Sequence, residues 1–263
     1  MNQNFWKNKT IIITGTSSGI GEAILKELSE IDCSIFALDR SPKEVQNTKA
    51  KIYSLNCDIS SDSDIEKAAK EILSKSETVD VLFNNAGITI HGRFDETKID
   101  VFRKSFGINF FGTVNLTLHL IEAIKKAKGT IITTSTVSGL YGVPGRSVYS
   151  SSKSALHAVF ESLRIELSEF GVRSILFCPP YTKTNLRTSG LTASGEKLNE
   201  AQYQGKILTP EEVAKAMLNA VEDKNSRLVT MDKSGFFVKV LRLFAPAFLE
   251  KVMFKKLYKD FHH

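Results

Sequence analysis

The chain of 263 residues holds only three cysteines, Cys33, Cys57 and Cys178, an odd number scattered without metal-ligand spacing. Neither a disulfide framework nor a metal centre is expected, and the thiols are expected to be reduced and structural. No unbroken apolar run approaches the roughly 20 residues that a spanning helix needs, and no basic-then-apolar leader precedes a cleavage site in residues 1–10. A cytoplasmic protein is the expectation. Internal repeats and low-complexity tracts are missing, and 42% hydrophobic with 24% charged content excludes disordered, collagen-like and coiled-coil chains. One domain able to bury its own core follows.

The net charge of +6 suggests a nucleic-acid partner until it is divided along the chain. Residues 235–263 carry Lys239, Arg242, Lys251, Lys255, Lys256 and Lys259 against Glu250 and Asp260, a net +4 that leaves the first 234 residues at +2. A nearly neutral body with a basic end has no field for tracking phosphates, so nucleic acid is set aside.

Short β-rich apolar runs alternate with longer amphipathic ones. Strands are expected at Thr10–Thr14, Cys33–Leu38, Lys51–Leu55, Val79–Phe83, Gly129–Thr134, Val172–Phe177 and Arg227–Thr230, and helices at about Gly19–Ile31, Asp62–Ser76, Lys98–Lys126, Val148–Phe170 and Pro210–Asp223. In the fourth helix Leu156, Val159, Phe160, Leu163, Leu167 and Phe170 recur at three- and four-residue steps, as one buried face would. The alternation reads as an α/β fold: a Rossmann-like, doubly wound parallel sheet of about seven strands with helices on both faces. The polar stretch from Asn185 to about residue 208 carries Gly190, Gly195 and Gly205 and reads equally as a flap over a site or as a plain surface insertion.

The first strand runs into Thr14-Gly15-Thr16-Ser17-Ser18-Gly19-Ile20-Gly21 and then a helical pattern. Absent side chains let the backbone approach a pyrophosphate, whose charge the helix N-terminus stabilises. No Lys-Ser or Lys-Thr pair follows the glycines, so a dinucleotide fits better than a nucleoside triphosphate. The second strand ends in Leu38-Asp39-Arg40, where a carboxylate can accept from the adenosine ribose and repel a 2′-phosphate. Arg40 pulls the other way, and with no cation in the glycine turn NAD is favoured over NADP. Tyr149 and Lys153, one helical turn apart, form a pair in which an ammonium can lower a phenol's pKa; on the pair alone, an ordinary exposed Tyr and Lys is the favoured reading. Ser135 strengthens the functional reading because it ends the fifth strand, at the sheet edge where such folds hold ligands.

Over about Lys9 to Thr230 the sequence resembles a classical short-chain dehydrogenase/reductase. The matching pieces, in family order, are Thr14 to Gly21, Asp58, Asn84-Asn85-Ala86-Gly87, Asn109, Ser135, Tyr149-Ser150-Ser151-Ser152-Lys153, and Pro179 through Thr184. The resemblance implies that Tyr149 is the general acid/base, that Lys153 lowers its pKa and holds the nicotinamide ribose, that Ser135 binds the reacting oxygen, and that Asn109 anchors a water linked to Lys153. It further implies a cofactor site of Gly15, Ser17, Ser18, Gly19, Ile20, Gly21, Asp39, Arg40, Asp58, Ile59, Asn85, Ala86, Gly87, Pro179, Thr182 and Thr184, with Asp58 accepting from the adenine amino group. Asp58 is equally placed to cap the helix that starts near Asp62. Family members are usually dimers or tetramers. Pro180 departs from the family's usual glycine after Pro179, removing an N–H near the nicotinamide and weakening the assignment of Thr184.

The substrate side, with Val137, Leu140, Tyr141, Val143 and Pro144 before Tyr149 and Tyr181 and Leu186 after the sixth strand, is mainly apolar. A hydrophobic ketone or secondary alcohol, steroid-like, retinoid-like or long-chain acyl, suits it better than a sugar, although Arg146 or Arg187 offers a partner for an acid. Residues 235–263, an aromatic and basic extension to the catalytic domain at 1–234, are interrupted by Pro246. Packing on the own domain or on a second subunit ranks first for them, peripheral membrane contact second, and closure of the pocket third. His262 and His263 receive no role. A cofactor-occupied scaffold without turnover is the rival to the enzyme reading.

Overall fold

The computed structural model describes residues 1–186, 190–198 and 207–261, with the side chains of 258–261 left aside. In chain order its elements are α1 (Gln3–Trp6), β1 (Thr10–Thr14), α2 (Gly19–Ser29), β2 (Ser34–Asp39), β3 (Lys51–Asn56), α3 (Asp62–Lys75), β4 (Val81–Asn84), β5 (Ile90–His91) and α4 (Ile99–Phe106). A π turn (Gly107–Gly112) leads to α5 (Thr113–Ala127), β6 (Thr130–Thr134), α6 (Ser147–Glu166), β7 (Arg173–Cys178), β8 (Leu191–Thr192), α7 (Pro210–Glu222), β9 (Leu228–Thr230), α8 (Ser234–Phe244) and α9 (Pro246–Phe261). Seven strands form one parallel sheet in the order β3-β2-β1-β4-β6-β7-β9. The chain winds outward from β1 to β3, then returns to β4 on the other side of β1. That reversal opens a crevice at the carboxyl ends of β1 and β4.

Period-two alternation explains why the strands are apolar at nearly every position. On β1, Ile11 and Ile13 enter a core with Ile24, Leu28, Val213 and Met217 of α2 and α7, whereas Ile12 enters the opposite core with Ile72, Leu120 and Phe160 of α3, α5 and α6. Both faces are covered, so the whole strand is buried.

All seven expected strands are present, with ends displaced by at most two residues. The expected 98–126 helix is not a single α-helix, because the π turn at Gly107–Gly112 interrupts it. Such a turn widens the helix by one residue and swings Asn109 inward, fully buried. Tight packing accompanies it: a Cβ on Gly112 would run into the backbone carbonyl of Ile59. Gly112→Ala is therefore expected to cost about 1–3 kcal/mol, the usual range for overpacking, read as a lower urea midpoint at unchanged slope. Phe170 does not share the buried face of α6; the helix ends at Glu166 and Phe170, in the 3-10 turn Ser168–Phe170, is 40% exposed with the Lys125 ammonium over its ring.

The described parts of the glycine-bearing stretch after β7 are tied to the body of the fold. Leu191–Thr192 pairs in parallel with Ile90–His91, Leu198 is buried, and Thr182 bridges Leu208. Residues 187–189 and 199–206, which include Arg187 and Gly205, lie outside the described residues, as do His262 and His263. Pro246 does break the last segment, separating α8 from α9.

Candidate active site

The crevice is a cavity of about 600 Å³ whose lining runs from the glycine turn to the start of α6. Gly15 and Gly19 adopt φ of +75° and +61°, left-handed values that favour glycine. A Cβ at Gly15 would press on Ala86, and one at Gly19 on Thr184, so side chains there would fill the cradle. Ser18 begins α2 without a side-chain cap, leaving the helix N-terminus open to an anion. Ser17, Ser18 and Ile20 line the same space, but Gly21 does not: its Cβ would collide with the Gly15 carbonyl. Gly21 thus lets the start of α2 pack against the end of β1.

At the end of β2, the Asp39 carboxylate accepts from the Ser17 and Ser41 backbone N–H groups, each at 3.0 Å, and still has lone pairs for a ribose. Arg40, Asp58 and Ile59 line the cavity beside it. Asp58 Oδ1 accepts from both N and Oγ of Ser60, while Ser61 caps α3. The capping alternative for Asp58 is thereby replaced by a local turn on the cavity wall. Burial opposes ionisation of Asp58, but the Ser60 bonds and the cations Arg40 and Lys104 outweigh it and hold the carboxyl below its usual range.

After β4, Thr14 Oγ1 accepts from the N–H groups of Asn85 and Ala86, and Asn85 Nδ2 donates to the Thr14 carbonyl. These bonds pin the Asn84–Gly87 turn to the end of β1, placing Asn85, Ala86 and Gly87 on the cavity wall. The glycine is needed there, since a Cβ on Gly87 would lie 2.9 Å from Asn109 Oδ1 and 3.4 Å from Lys153 Nζ. Asn109 itself is outside the cavity wall. It is clamped by both Ile88 backbone groups, at 2.8 and 3.0 Å, and by Ser152 Oγ at 3.0 Å.

Ser135, Tyr149 and Lys153 share the cavity wall with the cofactor cradle. The expected ammonium effect on the phenol is not what dominates. Burial pushes Tyr149 up to about 12, opposed chiefly by Arg146, and burial also draws Lys153 down to about 8. Lys153 Nζ donates to the Thr134 carbonyl at 2.9 Å. Desolvation of the buried phenol outweighs the attraction of Arg146, so the phenol keeps its proton at neutral pH.

One functional neighbour escapes sequence reasoning. His157 Nε2 lies 2.8 Å from Ser135 Oγ, and the imidazole, drawn down to about 4 by burial and by Lys239, Lys153 and Arg164, is neutral. Its position four residues beyond Lys153, on the same helical stripe, is the signal that points to it. Ser135 also lies beside the Cys178 thiol, which burial pushes up to about 12 and so keeps protonated. Gly139 leaves room for this cluster, a Cβ there meeting both His157 Nε2 and Ser135 Oγ at 3.0 Å.

Val137, Tyr181 and Leu186 line the cavity, as do Pro179, Pro180, Thr182 and Thr184. Leu140 and Tyr141 do not. The 3-10 turn Val137–Gly139 redirects the chain, so Tyr141 and Pro144 face a second hollow against α9, and the Leu140 carbonyl accepts from Arg242. Arg146 lines the cavity with its guanidinium 5.9 Å from the Tyr181 ring centre.

Comparison with known proteins agrees with this architecture. Residues 9–194 match the short chain dehydrogenase family. Dehydrogenase/reductase SDR family member 7B of Mus musculus is 30% identical over 271 residues, covering 97% of this chain and 83% of that protein. Two solved short chain dehydrogenases, from Burkholderia cenocepacia in complex with NADP and from Burkholderia phymatum in complex with NAD, are each 21% identical. They superpose with TM-scores of 0.79 and 0.77, covering 96% and 95% of this chain and 99% and 97% of theirs. A parallel seven-stranded sheet with a glycine-lined crevice, and a family match over most of the chain, identify this protein as a member of the classical short-chain dehydrogenase/reductase family, an NAD(P)-dependent oxidoreductase.

Proposed function

We propose that the protein interconverts a hydrophobic ketone and its secondary alcohol with NAD as the preferred cofactor. The observation that carries this reading is a single cavity wall containing both Asp39 with the glycine turn and Ser135 with Tyr149 and Lys153. The strands that end in these two groups stand three positions apart in the sheet, roughly 14 Å at about 4.8 Å per strand. An extended dinucleotide fits that separation. When bound, it supplies hydride for reduction and accepts it in oxidation.

Ser135 Oγ–H holds the carbonyl oxygen, and Tyr149 gives that oxygen its proton as the carbon gains hydride; in oxidation Tyr149 takes the proton back. Lys153 fixes the nicotinamide ribose and stabilises the phenolate left behind. Asn109 orders the Ile88 backbone and the polar route behind Lys153. Asp39 accepts from the adenosine ribose and disfavours a 2′-phosphate. His157 acts through Ser135: its Nε2, 2.8 Å from Oγ, fixes where the hydroxyl sits beside the substrate oxygen.

Loss of a net hydrogen bond is worth about 0.5–1.5 kcal/mol, so His157→Leu should lower kcat by up to roughly tenfold with cofactor affinity unchanged. His157→Gln, whose amide can hydrogen-bond Oγ from the same place, should recover part of the loss, and in a Ser135→Ala background His157→Leu should add little. Fluorescence titration with NADH and NADPH, followed by a comparison of 2-decanone with polar hydroxyketones, tests the whole reading. NADH should bind tighter and 2-decanone should be reduced faster; tighter NADPH binding removes the Asp39 argument, and preference for the polar ketones removes the substrate class.

A further inference from the structure

We propose that α8 and α9 form a face that seats the protein on an anionic lipid surface, with the catalytic cavity opening beside them. Phe236, Phe237, Leu243, Phe244 and Phe248 are each more than half exposed on these two helices, Phe244 at 81%. The helices are nevertheless anchored. Leu249 is buried, Arg242 donates to the Leu140 carbonyl at 2.6 Å, and Gly235 packs so closely on Thr230 that a Cβ would clash. The aromatic side is therefore presented by a fixed scaffold.

Charge decides what this face meets. Lys239, Arg242, Lys251, Lys255 and Lys256 are interleaved with the rings, against Glu250 on the same helices. Rings at the acyl boundary and ammonium groups among phosphates is the arrangement of an interfacial helix on acidic lipid. A second copy applied to this face would bring two cationic surfaces together. At 11 and 16 residues the helices lie on a bilayer rather than cross it, and among the described residues no helix is long and apolar enough to span one.

Two cavities border the same helices. Ser234 and Lys256 line the catalytic cavity, and Lys251 and Met253 of α9 close a second hollow of about 470 Å³ against Tyr141 and Pro144. A ketone dissolved in the bilayer would enter past α9 without crossing water. This delivery role rests on the hydrophobic-ketone reading, whereas lipid binding itself does not.

The test is co-sedimentation of the full chain with phosphatidylcholine vesicles, with and without phosphatidylglycerol, alongside the Phe244→Glu, Phe248→Glu double variant. Both substituted positions are exposed, so circular dichroism and NADH binding should match the wild type. The wild type should pellet with the anionic vesicles and return to the supernatant at high salt, and the double variant should partition at least tenfold less. Wild type that stays soluble with both vesicle types, that binds neutral vesicles equally well, or that forms a dimer abolished by the double substitution overturns the proposal. Reduction of a water-soluble ketone, measured in parallel without vesicles, reports on the oxidoreductase chemistry separately.

Discussion

Tyr149→Phe is expected to lower turnover by about 10²–10⁴-fold, the usual contribution of a positioned proton donor, while NADH binding stays within about twofold. Phenylalanine keeps the ring that fills a wall position only 8% exposed, and the backbone carbonyl of residue 149 still accepts from Ser152 Oγ. What disappears is the phenolic proton that Tyr149 brings to the wall it shares with Ser135. The direction of the pKa shift adds a second signature. A phenol pushed up to about 12 is protonated at neutral pH, ready for ketone reduction, whereas alcohol oxidation needs the phenolate, whose fraction grows tenfold per pH unit below that value. Initial rates should therefore rise with pH between 6 and 8 for oxidation but not for reduction, and the variant should lose that contrast.

The second large effect concerns Asp39. A carboxylate about 4 Å from a phosphate is repelled by about 4 kcal/mol per unit charge at an effective dielectric near 20, and partial exposure at the cavity edge cuts this to about half. Asp39→Ser should then shift preference from NADH toward NADPH by roughly 30-fold. Serine can still accept one of the backbone N–H bonds that the carboxylate holds, and Arg40 remains on the same wall to meet the 2′-phosphate. The ratio of dissociation constants, measured by nicotinamide fluorescence for both proteins, checks the shift. An unchanged ratio would mean that Asp39 serves the Ser17 turn and not cofactor choice.

Much of the architecture was legible in the sequence because its signals are local. Buried parallel strands write continuous apolar runs, and Gly15 and Gly19 mark backbone angles that favour glycine, so seven strands and the cofactor cradle are readable from residue types alone. Contacts across the fold are a different matter. The π turn around Asn109 changes the helical period by one residue, too little to show in an apolar pattern. The β5–β8 pair is two residues long on each side and has no periodicity to detect. Leu140 and Tyr141 looked like pocket residues because they follow Ser135, but one 3-10 turn sends them elsewhere. Electrostatics were the least readable: proximity of Lys153 to Tyr149 suggested a lowered phenol pKa, while burial, a property of the whole fold, reverses the sign.

Isotope transfer addresses the central claim most directly. The wild type is incubated with NADH carrying deuterium at the transferred C4 position and with 2-decanone, and the 2-decanol is analysed by mass spectrometry. One deuterium at the carbinol carbon, formed by the wild type and formed about 10²–10⁴-fold more slowly by Tyr149→Phe, is the result expected from hydride arriving at carbon while Tyr149 protonates oxygen. Deuterated alcohol formed equally fast by the phenylalanine variant would contradict it.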